Sequence, residues 1–281
     1  AFPDVTNIQV MVLTKASGLS AEECEQRITY PIEQQMGGLP RVVLVRSLSR
    51  AGLSQVVVIF HDGIDPYFAR QLVFERLQDA RDALPEGIEP ELAPLSTGLG
   101  EIYQYTIAGD SLSATECRTI QDWLIAPQLR TVPGVTEVNS FGGFARQYEV
   151  RVHPDRLVKY GLSLRDVVAG VESNNANAGA GFILKGWEQY YILGHGIFTS
   201  AVDIETVVLK ASDGTPVFLR DVAEVAEGSL TRQGAATRDA RGETVAGMVI
   251  MLRGENSKTV VDRVKEAVAH IQTGLPKGAR I

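Results

Sequence analysis

Sulfur and imidazole are scarce in this sequence, and both absences narrow its chemistry. Cys24 and Cys117 are the two cysteines. They make no CxxC or Cys/His spacing, so they read as buried free thiols rather than zinc ligands, and whether they lie near one another stays open. The four histidines, His61, His153, His195 and His270, have no two members close in sequence. The four methionines, Met11, Met36, Met248 and Met251, all fit strand or helix core. Positive charge is also short: 27 Lys and Arg against 34 Asp and Glu leave a net charge of −7. A nucleic-acid partner is disfavoured, because phosphate binding needs a basic face. No apolar run approaches the roughly 18 residues of a membrane helix. The longest, VAGMVIML at 245–252, is strand-sized. The opening AFPDVTNIQV carries no basic and apolar leader, which leaves a cytoplasmic chain or a piece of something larger. GxSxG, P-loop and HExxH signatures are all missing, and no carboxylate pair has a spacing that singles out acid-base work. The expectation is a protein that is not an enzyme and has no cofactor.

What is present is a repeat. SAEEC begins at Ser20 and SATEC at Ser113, 93 residues later. LPRVVLVRS and VPGVTEVNS place Pro40 and Pro133, then Ser47 and Ser140, at the same offset. Each copy opens on a strand, NIQVMVLT (7–14) or EIYQYTIAG (101–109). A helix follows, with Ser20 or Ser113 as N-cap and Glu23 or Glu116 three residues on, a capping box in both. Cys24, Ile28, Ile32 and Met36 make one apolar helix face, with Pro31 placed to kink it. Ile120, Trp123, Leu124 and Leu129 are the expected counterpart. Hairpins come next, VVLVRSLS to SQVVVIF and VTEVNSFG to RQYEVRV, the second through Gly142-Gly143. His61 and His153 then fall at nearly equivalent places after the third strand. Asp65-Pro66 starts a second helix striped by Phe68, Leu72, Leu77, Ala80 and Leu84. In the later copy that helix is NSKTVVDRVKEAVAHIQTG, with Val260, Val261, Val264, Ala267 and Ile271 on one face. LPKG there answers LPEG at an offset of 191.

Strand-helix-strand-strand-helix-strand is the ferredoxin-like βαββαβ pattern. The two offsets differ by 98, so the later copy holds a long insertion, expected between its third strand and second helix. The last strand of that copy reads as truncated. Within the surplus, SLRDVVAGVESNNA is a helix capped by Ser163, and GFILKGWEQYYILGHGIF (181–198) is two strands around Lys185-Gly186. A further hairpin turns at Asp213-Gly214, and ETVAGMVIMLRG (243–254) returns to the copy. The fold class is α+β: residues 1–98 form a first subdomain, 99–174 and 241–281 the two parts of a second, and 175–240 a small α/β insert. Trp187, Tyr190 and Tyr191 on the insert's aromatic hairpin serve either a local core or an interface.

One carboxylate has a distinctive place. PLSTGLG links the repeats, and Glu101 opens the strand that follows. Clefts between subdomains bind ligands, and a hard or borderline divalent ion accepts carboxylate oxygen.

FPDVTNIQV, ITYPIE, GLSQVVVIFHDGIDPYFARQLVFERLQ, LSTGLGEIYQYT, GGFARQYEV, KYGLSLRDVV and VFLRDVAEV closely resemble the periplasmic region of heavy-metal efflux pumps of the resistance-nodulation-division superfamily. The similarity runs over essentially the whole chain. It implies the first large periplasmic loop, with two ferredoxin-like porter subdomains and a docking subdomain inserted in the second. Such pumps are proton-driven inner-membrane homotrimers of Gram-negative bacteria, working with a periplasmic adaptor and an outer-membrane channel. The membrane helices, the proton relay and the other periplasmic half lie outside this chain, so no transport is expected of it alone. The resemblance makes Glu101 a member of the metal site in the zinc, cobalt and nickel branch, the divalent ion being substrate rather than cofactor. It makes Trp187, Tyr190 and Tyr191 part of the docking hairpin. A copper/silver pump, or a self-contained soluble ferredoxin-like ligand-binding module, is the alternative.

Overall fold

The computed structural model describes residues 6–109, 112–212, 214–232, 234–240 and 242–281. The chain folds as two compact units. The first takes the described parts of 1–110, 120–141 and 246–281, the second those of 111–119 and 142–245.

The first repeat forms a four-stranded sheet. β1 (Gln9–Lys15), β2 (Val42–Arg50), β3 (Leu53–Phe60) and β4 (Pro90–Leu92) lie in the order β2-β3-β1-β4, every pair antiparallel. That is the strand order of a βαββαβ unit. Residues 21–36 form one helix, α1, and residues Pro66–Arg81 a second, α2. They cover the sheet face carrying Val10, Val12, Val56, Val58 and Phe60. In α1 the Ser20 side chain accepts the Glu23 N–H, while the Glu23 carboxylate accepts the Ser20 N–H, completing the expected box. A π-helical turn, Glu25–Thr29, stands just before Pro31. Proline has no N–H and its ring collides with the carbonyl four residues back. The wider turn opens space there, so Cys24, Ile28, Ile32 and Met36 all stay in the core. Of the expected stripe, Leu77 and Ala80 are buried and Leu72 and Leu84 pack against the core, so the departure is at Phe68. Ala69, Val73, Leu77 and Ala80 are buried, while Phe68 is exposed. Asp65 caps the helix by accepting the Phe68 N–H, which holds Phe68 at the exposed first turn.

The second repeat has the same sheet with one strand drawn from far along the chain. β5 (Glu101–Gly109), a helix α3 over residues 114–130, and β6 (Val135–Phe141) follow one another. The expected hairpin partner, β7 (Arg146–Val152), does not pair with β6. It pairs instead with β12 (Ala223–Ser229) in the second unit. The strand beside β6 is β14 (Glu243–Met251), with Val138 opposite Val249 and Ser140 opposite Gly247, and the two-residue β13 (Ala236–Thr237) pairs with the start of β14. The resulting order, β6-β14-β5-β15, with β15 at Ala279–Arg280, repeats β2-β3-β1-β4. The insertion therefore falls between the second and third strands, not after the third. Val245, Gly247 and Val249 of β14 are buried on alternate positions, as the middle of a sheet requires. On β7, Tyr148, Val150 and Val152 pack on the second unit's core, and Arg146 pairs with Glu227 across the ladder. β7 alternates polar and apolar residues and follows β6 through a Gly-Gly pair, which made it the expected partner, whereas the unbroken apolar run of β14 suits a strand in the middle of a sheet. His153 consequently follows β7 at the N-cap position of α4 (Pro154–Tyr160), without a side-chain capping bond, and its near-equivalence to His61 is coincidental.

A second π-helical turn, Gln121–Ile125, precedes Pro127 in α3. It turns Trp123 and Leu124 out to solvent, against expectation, while Ile120, Ile125 and Leu129 are buried. The last long helix, α6 (Ser257–Gly274), is capped by Asn256 and buries Val260, Val264 and Ile271. Val261 and Ala267 are half-buried beside them.

In the second unit, α5 (Leu164–Asn174) carries the expected Ser163 cap, boxed with Asp166. Val167, Ile204, Leu219 and Val222 centre its core. The hairpin β10 (Val208–Ser212) to β11 (Thr215–Phe218) forms as expected. Asp213, called as part of its turn, lies outside the described residues. Gly142 and Gly143 adopt φ of 72° and 65°, but the chain they turn leads into the second unit and not into the expected β6–β7 hairpin.

Candidate functional site

Glu101 is delivered by a short stack of local interactions. The crossover leaves β4 with the Ala93 N–H donated to the Met11 carbonyl. Arg70 of α2 holds the same stretch, its guanidinium donating to the Ala93 and Leu92 carbonyls. Arg253 fixes the crossover from the other repeat: its N–H donates to the Leu95 carbonyl, and its side chain to the Thr6 carbonyl at 2.9 Å. Gly98–Gly100 then makes a single 3₁₀ turn closed by the Gly100 N–H on the Thr97 carbonyl. Gly100 is buried against β14, where a Cβ would stand 3.1 Å from the Met251 carbonyl oxygen. The glycine lets the backbone approach that closely, and Glu101 emerges as the first, exposed residue of β5. Ile250 of β14, whose Cγ2 would lie 3.4 Å from a Gly100 Cβ, sits opposite Glu137 of β6. A half-buried carboxylate thus stands one strand beyond β14 at the same end of the sheet.

Among the described residues no three His, Cys, Asp or Glu side chains gather as a metal-binding group. Glu101 is an open carboxylate that can contribute oxygen to a divalent cation but not a complete coordination shell.

The aromatic trio lies elsewhere. β8 (Ala178–Lys185) and β9 (Glu188–Gly194) pair as a two-stranded hairpin with Lys185 opposite Glu188, so Gly186-Trp187 is the turn. Trp187 at the tip is 105% exposed, and Tyr190 and Tyr191 are exposed behind it. The trio therefore builds no local core. Phe182 and Tyr191 meet edge to face, centroids 6.5 Å apart, on the hairpin's flank. The base is tied by two asparagines of the NNANAGAG stretch. Asn177 Oδ1 accepts the Gly196 N–H at 3.2 Å and Asn175 Oδ1 the Phe198 N–H at 3.1 Å.

The family model described as the AcrB/AcrD/AcrF family matches residues 1–281. The chain belongs to this family. Within the AcrB/AcrD/AcrF family it is 52% identical over 285 residues to Protein HelA of Legionella pneumophila, covering 99% of this chain. It is 50% identical over 290 residues to the cobalt-zinc-cadmium resistance protein CzcA of Cupriavidus metallidurans, covering 100%. Identity to the cation efflux system protein CusA of Escherichia coli is 38%. The chain spans 27% of the length of each of these relatives. A crystal structure of a heavy metal efflux pump (crystal form II) superposes with a TM-score of 0.90 at 34% identity, covering 100% of this chain and 28% of that one. No helix among the described residues is long and apolar enough to cross a membrane.

Proposed function

We propose that this chain is the periplasmic porter and docking portion of a proton-driven, trimeric inner-membrane exporter of divalent heavy-metal cations, of the zinc, cobalt and nickel class. One observation carries the reading: identity of 50% over the full chain to a cobalt-zinc-cadmium resistance protein, against 38% to a nickel and cobalt resistance protein, which favours zinc and cobalt first among the ions of the class. The duplicated βαββαβ units, residues 1–98 and the outer parts of the remainder, act as porter subdomains, and the intervening segment acts as the docking subdomain. The ion is cargo. Glu101 supplies one hard oxygen ligand to it, and the rest of the shell comes from outside this chain. Trp187, Tyr190 and Tyr191 anchor protein contacts, as exposed Trp and Tyr commonly do. An adaptor and an outer-membrane channel complete the export path.

The test uses the full-length parent protein in a strain lacking its own metal exporters. Wild type should restore growth on zinc, cobalt or nickel. Glu101→Gln, which keeps size and removes the charge, should lower that resistance at equal protein level. Undiminished resistance in the variant removes Glu101 from the ion path. Protection against copper or silver in place of zinc, cobalt and nickel reassigns the class.

A further inference from the structure

Three hydroxyls of the first repeat lie in one row across its sheet. Thr14 on β1 is opposite Ser54 on β3, and Ser54 is opposite Ser49 on β2. Residues directly opposed in an antiparallel sheet point their side chains to the same face. That face is covered by α1, whose π-helical turn brings the Thr29 hydroxyl within 2.7 Å of Ser54 Oγ and 2.8 Å of Ser49 Oγ. Thr14, Thr29 and Ser54 are buried. Thr29, Ser49 and Ser54 satisfy one another, but Thr14 Oγ1 has no hydrogen-bond partner among the described residues.

The second repeat shows that the fold does not require a hydroxyl there. The positions equivalent to Thr14 and Ser54, at offsets of 93 and 191, are Ile107 and Val245, both buried. That repeat keeps its own polar cluster one row along the strands, and the cluster closes on itself. Tyr105 donates to Gln121 Oε1 at 2.8 Å, the Gln121 amide to Ser140 Oγ at 3.2 Å, and Ser140 to Asp122 Oδ1 at 2.6 Å. A buried hydroxyl without a partner is unfavourable, and internal water is what proteins place at such orphans when several polar groups surround one point. Each hydroxyl has one donor and two acceptor sites, so Thr29 and Ser54 retain capacity after bonding each other.

We propose that the first repeat binds one internal water molecule, held by Thr14 Oγ1 together with the Thr29 and Ser54 hydroxyls beneath the π-helical turn. The water ties that turn to the first strand, the place where the second repeat uses apolar packing. A high-resolution crystal structure of the 281-residue chain tests this. Wild type should show a density peak at hydrogen-bonding distance from Thr14 Oγ1 and from Thr29 or Ser54. Thr14→Ser should keep the peak, and Thr14→Val, of nearly the same shape without the hydroxyl, should lose it. An empty position in wild type overturns the proposal on its own. So does a peak that persists unmoved in Thr14→Val.

Discussion

The ring of Tyr105 occupies the space that a side chain at Gly247 would need. A Cβ on Gly247 would stand 2.1 Å from Tyr105 Cζ and 2.4 Å from its hydroxyl oxygen. In the first repeat the matching pair is Val12 opposite Val56, two ordinary core residues. The second repeat has traded that pair for a tyrosine on a glycine, and burial pushes the Tyr105 hydroxyl's ionisation well above its usual value. Gly247→Ala must therefore displace the ring from Gln121. We expect a loss of about 1–3 kcal/mol, read as a lower urea midpoint. An unchanged midpoint would show that the ring moves at no cost.

Two positive-φ glycines should respond differently to the same change. Gly142 and Gly186 have φ of 72° and 65°. A Cβ on Gly142 would lie 2.2 Å from the Thr244 carbonyl oxygen, whereas Gly186 at the hairpin tip has open space. Gly186→Ala pays only backbone strain, about 1–2 kcal/mol. Gly142→Ala adds a clash with backbone and should cost clearly more in the same denaturation assay. Equal losses would place the Gly142 requirement in φ alone.

Trp187 contributes no burial within this chain. Trp187→Ala should leave the unfolding free energy within about 0.5 kcal/mol. In the full-length protein the same variant should weaken subunit association, measured by native mass analysis. A large stability loss in the isolated chain would return the hairpin to a structural role.

Acid sensitivity should trace in part to capping boxes. The Ser113 N–H, and then its hydroxyl, hold the Glu116 carboxyl below its ordinary range, and Ser20 does the same for Glu23. A carboxyl depressed in the folded state stabilises the fold fully above its unfolded value, about 4.3 for Glu. That contribution is lost as pH falls below about 4, through the folded value. Glu116→Gln should lower stability at neutral pH and flatten the decline between neutral and acid. A parallel curve for wild type and variant would contradict the coupling.

Glu101 is exposed at the start of its strand, so Glu101→Gln should leave the thermal midpoint of the chain nearly unchanged. Lost resistance in cells then reports on the ion path rather than on folding. A marked drop in the midpoint would break that attribution.

Local chemistry was legible from the letters because it depends on neighbours in sequence. The boxes at Ser20 and Ser113 follow from a hydroxyl three residues before a carboxylate, and the Ser163 cap, which the structure shows boxed with Asp166, follows from its hydroxyl ahead of a helical run. The α1 core face and the β8–β9 hairpin follow from periodicity and turn residues in the same way. The 93- and 191-residue offsets revealed the duplication, and even β14 was marked as a returning strand. Its partner was not marked, because β7 follows β6 directly through a Gly-Gly pair, whereas β14 lies about a hundred residues further on, beyond the insertion. The exposure of Trp123 and Phe68 was hidden too. The first depends on a π-helical turn ahead of a proline, the second on which side of the capped first turn the core lies, where Ala69 and not Phe68 is buried.

The sequence by itself determined the duplicated βαββαβ plan, its caps and turns, and the position of Glu101 at the mouth of a strand, since each rests on short-range stereochemistry. Only the tertiary structure decided which strand completes the second sheet, which helix faces are dry, and that Thr14 is left alone among hydroxyls. Those outcomes depend on contacts between residues a hundred or more positions apart, where two strands compete for the place beside β6.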